Sequence, residues 1–235
     1  MSGRTGEFPR PERSEVVETL TDDRKAPAVA ELTLTSFLTL DGVVQAPGGP
    51  DEDRSDDFAL GGWLAPFVDE DMAGFLHEVM DRAGAFLLGR RTYEIFASYW
   101  PHAADPDDPI ANRLNHLPKH VVTRTLDHVD WHNSRILPGE DLTDAVHRLK
   151  QEPGGEVQVH GSGRLARHLL AHGLVDACNL LVAPVLLGSG RRLFPEPGTP
   201  TSLALTGHRT TRSGVAILTY RPTGPARFGT VGADE

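Results

Sequence analysis

The strongest constraint in this chain is an alternation. Short apolar segments each give way, after a glycine or a basic residue, to a stretch with helical spacing. AFLLG (85–89) runs into RTYEIFASYW, which Pro101 stops, and EVQVHG (156–161) runs into SGRLARHLLAHG. A strand that is apolar on both faces has to be covered on both faces, so such alternation builds a largely parallel sheet between helical layers. Other segments fall into the same pattern. ELTLTSFLTL (31–40) alternates apolar and polar residues, and DGVVQAPGGPDEDRSDD reads as a long loop. Asp69-Glu-Asp opens a helix whose Met72, Phe75, Leu76, Val79 and Met80 form one stripe. A Pro/Asp linker leads to a helix around IANRLNHL and the strand HVVTR (120–124). LTDAVHRLKQ places Leu142, Val146 and Leu149 on one side, and ACNLLVAPVLLG is a long apolar run. ALTGHRTT and GVAILTYRP form an antiparallel hairpin turning at Ser213-Gly214.

The ends differ from this body. Residues 1–30 interleave basic and acidic side chains with few large apolar groups, which predicts a flexible arm, docking on a partner subunit being the alternative. Residues 223–235 read as a loose tail, leaving one domain over residues 31–222. Lys plus Arg number 23 against 33 for Asp plus Glu, a formal charge of −10. Such a chain has no overall attraction to nucleic acid or an anionic membrane, so an anionic ligand must meet a local basic site. No apolar run is long enough to span a bilayer, and the first residues lack the apolar core of a secretory signal, so a cytoplasmic protein is expected. The single cysteine, Cys178, leaves no internal disulfide and no multi-cysteine zinc site.

Three junctions place glycine or arginine where a strand ends. In sheets of this kind the carboxyl ends of the strands form the ligand crevice. In LLGRRTYE (87–94), Gly89 permits a close turn, Arg90 and Arg91 offer planar forks, and Thr92 adds a hydroxyl near free helical N–H groups. A plain helix start with two solvated arginines is the alternative. In VVTRTL (121–126), Thr123 and Arg124 can hydrogen-bond and charge-pair a phosphate; singly, the arginine reads equally as a surface residue. In VQVHGSGRLARHLL (157–170), His160-Gly161-Ser162-Gly163 precedes a helix and can face a pyrophosphate, although a bare glycine turn explains it too. A P-loop and a nucleophile elbow are absent. His168/His172 and His128/His132 stand four apart without the Glu of H-E-x-x-H, so no metal site is expected.

Taken in order, FLTLDGVVQAPGG, LLGRRTYE, VVTRTL and VHGSGRLARHLLAHGLVDACNLLVAPVLLGSGRRLF resemble the dihydrofolate reductase-like superfamily. More closely, they resemble the reductase domain of the bifunctional riboflavin biosynthesis deaminase–reductase and its stand-alone relatives. The resemblance covers residues 31–222. It implies a three-layer α/β sandwich on a mixed, mostly parallel sheet, with the hairpin as its antiparallel edge. It also implies NADPH binding, hydride transfer and a homodimer. Matched by motif, Gly89, Arg90 and Thr92 correspond to the element holding the cofactor phosphates. Thr123 and Arg124 correspond to the strand end near the adenosine 2′-phosphate. Gly161, Ser162, Gly163, Arg164 and Leu165 correspond to the glycine turn under the pyrophosphate. The family commonly has Gly-Gly where this chain has Gly161-Ser162, and serine tolerates fewer backbone conformations.

Asp41 and Gly42 match the L-D-G after the first strand, near where nicotinamide and substrate would meet. Asp41 is therefore the first candidate to assist protonation and line the substrate site, with Glu70 or Asp71 second; a turn or cap role is the alternative for each. Trp63 is a candidate substrate wall or a core residue. The deaminase half needs H-x-E and P-C-x-x-C, which one cysteine rules out. The expectation is an NADPH-dependent reductase of a small heterocyclic or conjugated molecule, resembling 5-amino-6-(5-phosphoribosylamino)uracil reductase. A non-catalytic NADP-binding protein and a dihydrofolate reductase-type activity are the alternatives. NLLVAPVLLG either supplies dimer area or is a central strand.

Overall fold

A computed structural model describes residues 29–103, 105, 108–138, 141–194 and 198–231. Residues 1–28 of the expected arm, and 232–235 of the expected tail, lie outside the described residues.

Eight strands form one sheet: β1 (Leu32–Thr39), β2 (Ala83–Gly89), β3 (Lys119–Thr123), β4 (Ser134–Pro138), β5 (Glu156–His160), β6 (Ala177–Ala183), β7 (Thr201–Thr210) and β8 (Ala216–Pro225). Their order is β4-β3-β2-β5-β1-β6-β8-β7. The six strands from β4 to β6 run parallel, whereas β8 pairs antiparallel with β6 and β7 antiparallel with β8. The expected α/β sandwich with an antiparallel C-terminal hairpin is thus the fold of this chain. β4 is the strand that sequence reading passes over. Its burial alternates only weakly, because it lies at the sheet edge. β8 runs through Pro225, so it takes in the first residues of the segment expected as tail.

Five helices cover the sheet: α1 (Glu70–Asp81), α2 (Arg90–Tyr99), α3 (Pro109–His116), α4 (Leu142–Gln151) and α5 (Gly163–Ala171). On one face Leu142, Val146 and Leu149 of α4, with Leu165 and Leu169 of α5, bury against Leu32, Leu34, Leu87, Val157, Val159 and Cys178. On the other, Met72, Phe75 and Val79 of α1 meet Leu181, Ala183 and Ile217, while Tyr93 and Leu114 meet Phe86, Leu88 and Val121. Complete burial of such side chains stabilises the fold by about 1.5–3 kcal/mol each. β6 lies between β1 and β8, so its apolar run is spent inside the sheet. Cys178, on this strand, is 2% exposed, and burial pushes its thiol pKa up to about 11.

Asp69 caps α1 by accepting from the Met72 N–H at 2.9 Å, as the acidic opening implies. A less expected anchor is Lys119 at the start of β3. It is fully buried, and its ammonium donates to the carbonyls of Leu114 at 2.7 Å and Leu117 at 2.9 Å. The Trp131 ring lies 4.5 Å beneath it. Burial pulls the Lys119 pKa down to about 8. The cation satisfies carbonyls that the end of α3 leaves free, and so fixes the strand whose tip carries Thr123 and Arg124. Among the described residues, no helix is long and apolar enough to cross a membrane.

Candidate functional site

Because β3, β2, β5, β1 and β6 are parallel, their carboxyl ends share one edge of the sheet. β2 and β5 are neighbours there, which brings the Gly89 and Gly161 junctions side by side. The Gly89 N–H donates to Ser162 Oγ at 3.0 Å, and the Ser162 N–H donates to Thr92 Oγ1 at 3.0 Å. Two reciprocal bonds thereby join the start of α2 to the start of α5. Ser162 achieves this at φ +49°, in the left-handed region that serine enters at a cost of about 1 kcal/mol, which these bonds offset. Ser162 therefore takes a backbone conformation usual for glycine and adds a cross-link.

Neither helix start has a side-chain cap, since Gly89 and Ser162 make no capping bond. The first-turn N–H groups of two adjoining helices are thus left without a side-chain acceptor at their positive dipole ends. Arg90 and Arg164 stand exposed in those first turns, and Arg124, exposed just past β3, lies close enough to α5 for its charge to act on His168. Burial, the stacked His172 and the charge of Arg124 together hold the His168 imidazole on α5 below its ordinary pKa. This set of donors fits a pyrophosphate with a further phosphate nearby. Two residues on the expected list contribute differently. Leu165 buries its side chain in the core and offers only its backbone N–H. Thr123 Oγ1 accepts from the N–H groups of Thr125 and Leu126, both at 3.1 Å, and shapes the turn that presents Arg124.

Asp41 has a different employment from the one expected. Its carboxylate accepts from the Thr39 hydroxyl at 2.6 Å and from the backbone N–H groups of Gly188 at 2.9 Å and Leu187 at 3.2 Å. The Thr39 bond leads in drawing the pKa down to about 2, against the opposing effect of burial. An acid this strong carries no proton to give at neutral pH. It ties the turn after β1 to the segment after β6, and Arg192 Nε closes the tie by donating to the Asp41 carbonyl at 2.8 Å.

Asp71 accepts from the Arg212 backbone N–H at 3.0 Å, in a cleft between α1 and the β7–β8 hairpin that also holds Glu70. None of the residues lining that cleft belongs to α2 or α5. Trp63 is 7% exposed, and its indole N–H donates to the Gln45 carbonyl at 2.8 Å. It packs with Phe58, Met72 and Phe75, so the core reading describes it and the substrate-wall reading does not.

Sequence reasoning missed a buried relay at the end of β5. Gln158 Nε2 donates to the Val79 carbonyl at 2.6 Å and to Glu156 at 2.9 Å, which leaves its Oε1 as acceptor. His160 Nε2, 3.0 Å away, must then carry the proton, and its Nδ1 keeps a lone pair. Burial pulls the His160 pKa down to about 4, so the imidazole is neutral. The period-two spacing of Glu156, Gln158 and His160 was the available signal. Also missed was Arg191, which meets Arg91 of α2 on Asp53 and Ser55. Among the described residues, no group of three or more His, Cys, Asp or Glu side chains is placed to hold a metal ion.

Residues 30–217 match the RibD C-terminal domain. The chain belongs to the RibD C-terminal domain family. It is 27% identical to the Bacillus subtilis (strain 168) protein YyaP over 191 residues, covering 80% of this chain and 93% of that one. Its fold is similar to that of a Thermotoga maritima diaminohydroxyphosphoribosylaminopyrimidine deaminase/5-amino-6-(5-phosphoribosylamino)uracil reductase. There the TM-score is 0.56 at 14% identity, over 82% of this chain and 56% of the other. It is similar also to Enterococcus faecalis dihydrofolate reductase complexed with NADP(H) and RAB-propyl, with a TM-score of 0.52 at 13% identity over 82% of this chain and 96% of the other.

Proposed function

We propose that this protein is an NADPH-dependent reductase of a small heterocyclic or conjugated molecule. One observation carries the proposal: two uncapped helix N-termini are locked side by side through Ser162 and Thr92, with unshielded arginines at their rim. Family membership supports the same reading. NADPH, when bound, supplies a hydride to the acceptor.

The chain's own residues bind and orient. Backbone N–H groups of residues 90–92 and 163–165 receive the pyrophosphate, with Arg90 and Arg164 balancing its charge. Arg124 takes the 2′-phosphate. Asp41 works as a positioning residue by fixing residues 187 and 188 against the turn after β1. A reductase acting on 5-amino-6-(5-phosphoribosylamino)uracil or a related heterocycle, in the cytoplasm, is the specific form of this proposal. The homodimer belongs to it too: among the described residues no strand pairs with the outer edge of β7, where Leu203 and Leu205 are exposed, which suits pairing with a second copy.

A fluorescence titration with NADPH tests the cofactor, and saturation is expected below millimolar concentration. Turnover with ribosylaminopyrimidines, dihydrofolate and enones then separates an enzyme from a non-catalytic NADP-binding protein. Failure to bind NADPH at millimolar concentration would remove both readings.

A further inference from the structure

Arg91 in the first turn of α2, and Arg191 in the segment after β6, meet on one carboxylate. Asp53 Oδ2 accepts from Arg91 Nη1 at 2.5 Å and also from Arg191 Nη2. Ser55 Oγ accepts from Arg91 Nη1 at 3.0 Å and from Arg191 Nη1 at 2.5 Å, and donates to Asp53 Oδ1 at 2.6 Å. Burial alone would raise the Asp53 pKa, but the Ser55 and Arg91 hydrogen bonds and the Arg191 charge outweigh it and hold the group ionised. Two guanidinium forks on an oxyanion are the arrangement by which proteins bind a phosphate monoester or a carboxylate.

The segment that supplies this oxyanion is under backbone strain. Asp56 and Asp57 adopt φ +60° and +56°, left-handed values for residues that have a Cβ. Arg191 Nη1 also donates to Asp56 Oδ2 at 2.8 Å, so a second carboxylate of the same loop shares its charge, and further arginines stand close by. Arg167 on α5 feels burial and then the charges of Arg191 and Arg164, all of which lower its pKa. Gln45 holds both partners in register, donating to the Asp53 and Ser55 carbonyls at 3.2 and 2.9 Å and accepting from the Arg191 N–H at 3.1 Å.

We propose that Arg91 and Arg191 form an anion subsite beside the dinucleotide cradle, which takes a phosphate monoester or carboxylate group of the molecule being reduced. Asp53 occupies that subsite until the ligand anion displaces it. The ligand's identity rests on the reductase reading; the subsite's existence does not. Displacement exchanges one set of charge-assisted bonds for another and releases the strained turn at Asp56 and Asp57. Because the competitor is tethered, the native chain binds a free anion more weakly than the bare arginine pair would.

Calorimetry with inorganic phosphate at low ionic strength, on the full chain, tests this directly. Asp53→Asn should bind phosphate at least about tenfold more tightly than the native protein, an intramolecular competitor having been removed. Adding Arg191→Ala to that variant should abolish the gain. Equal affinity of native protein and Asp53→Asn, with both folded by circular dichroism, overturns the subsite. Should Asp53→Asn not fold, Ser55→Ala weakens the same plug and must move phosphate affinity in the same direction; no movement overturns the proposal equally. Repeating the titrations with saturating NADPH separates the sources of the anion. A gain that persists supports the substrate's group, and a gain that vanishes assigns the arginines to the cofactor's phosphate and overturns the substrate assignment. If NADPH does not bind while the Asp53→Asn gain and its loss with Arg191→Ala hold, the reductase reading fails and the anion subsite stands.

Discussion

The Ser162 backbone N–H donates to Thr92 Oγ1, and this bond sets the start of α5 against the first turn of α2. Thr92→Val keeps the shape of the side chain and removes the acceptor. A lost hydrogen bond of this kind costs about 1 kcal/mol in denaturant unfolding. NADPH affinity should fall by several-fold, because the two rows of N–H groups lose their alignment. Unchanged affinity at reduced stability would show that the cradle does not depend on this tie.

Arg124→Ala should weaken NADPH binding by about tenfold or more and NADH binding far less, as expected for loss of a charge-assisted phosphate contact. Parallel titrations of the two cofactors check it. Equal losses would move the reading of the 2′-phosphate to Arg90 or Arg164.

Asp41→Asn separates anchoring from proton donation. Thr39, Leu187 and Gly188 hold the native carboxylate, and the amide keeps one acceptor oxygen, so unfolding stability should drop by about 1 kcal/mol. The pH profile of turnover should retain its shape. Disappearance of one limb of that profile would restore Asp41 as the acid.

Stability should fall as pH drops from about 6.5 to about 4. His120 and His160 both have pKa values lowered by burial to about 4, against an ordinary 6.5, so in that window the unfolded chain binds protons that the folded chain refuses. Asp41 and Asp69 extend the loss. Their pKa values are lowered to about 2, by the Thr39 hydroxyl and the Met72 N–H foremost, so their stabilisation disappears as pH falls from about 4 to about 2. Urea midpoints between pH 7 and 3 measure both phases, and a flat profile above pH 4 would contradict the buried neutral histidines.

Lys119 titrates in the opposite sense to an ordinary ion-paired lysine. Its pKa is lowered by burial to about 8 from 10.5, so the folding penalty of a buried cation should ease as pH rises through that interval. Lys119→Met leaves the Leu114 and Leu117 carbonyls unpaired and should cost about 2 kcal/mol. A midpoint equal to that of the native protein would mean that water replaces the ammonium.

The sequence was most legible where periodicity and burial coincide. The spacing of Met72, Phe75 and Val79, and the apolar AFLLG and EVQVH segments, specify their elements through the solvent they must avoid. The convergence of the Gly89 and Gly161 junctions follows from parallel strands and was readable for the same reason. Side-chain employment was less legible. Asp41 is two residues from Thr39 in sequence, yet its role depends on Gly188, 147 residues away. Arg191 likewise finds Asp53 only through the folded crevice, and no local pattern marks that pair. Trp63 illustrates the limit of composition: a large aromatic in a glycine-rich loop is compatible with a ligand wall until its surroundings are known.

The burial of Cys178 in the middle of β6 makes the molecule chemically silent toward thiol reagents in its native state, since it is the chain's one cysteine and its sulfur stays protonated. A cysteine placed at exposed Asp57 would therefore be the sole labelling position. A single environment-sensitive dye there would report the loop's movement without a background signal to subtract.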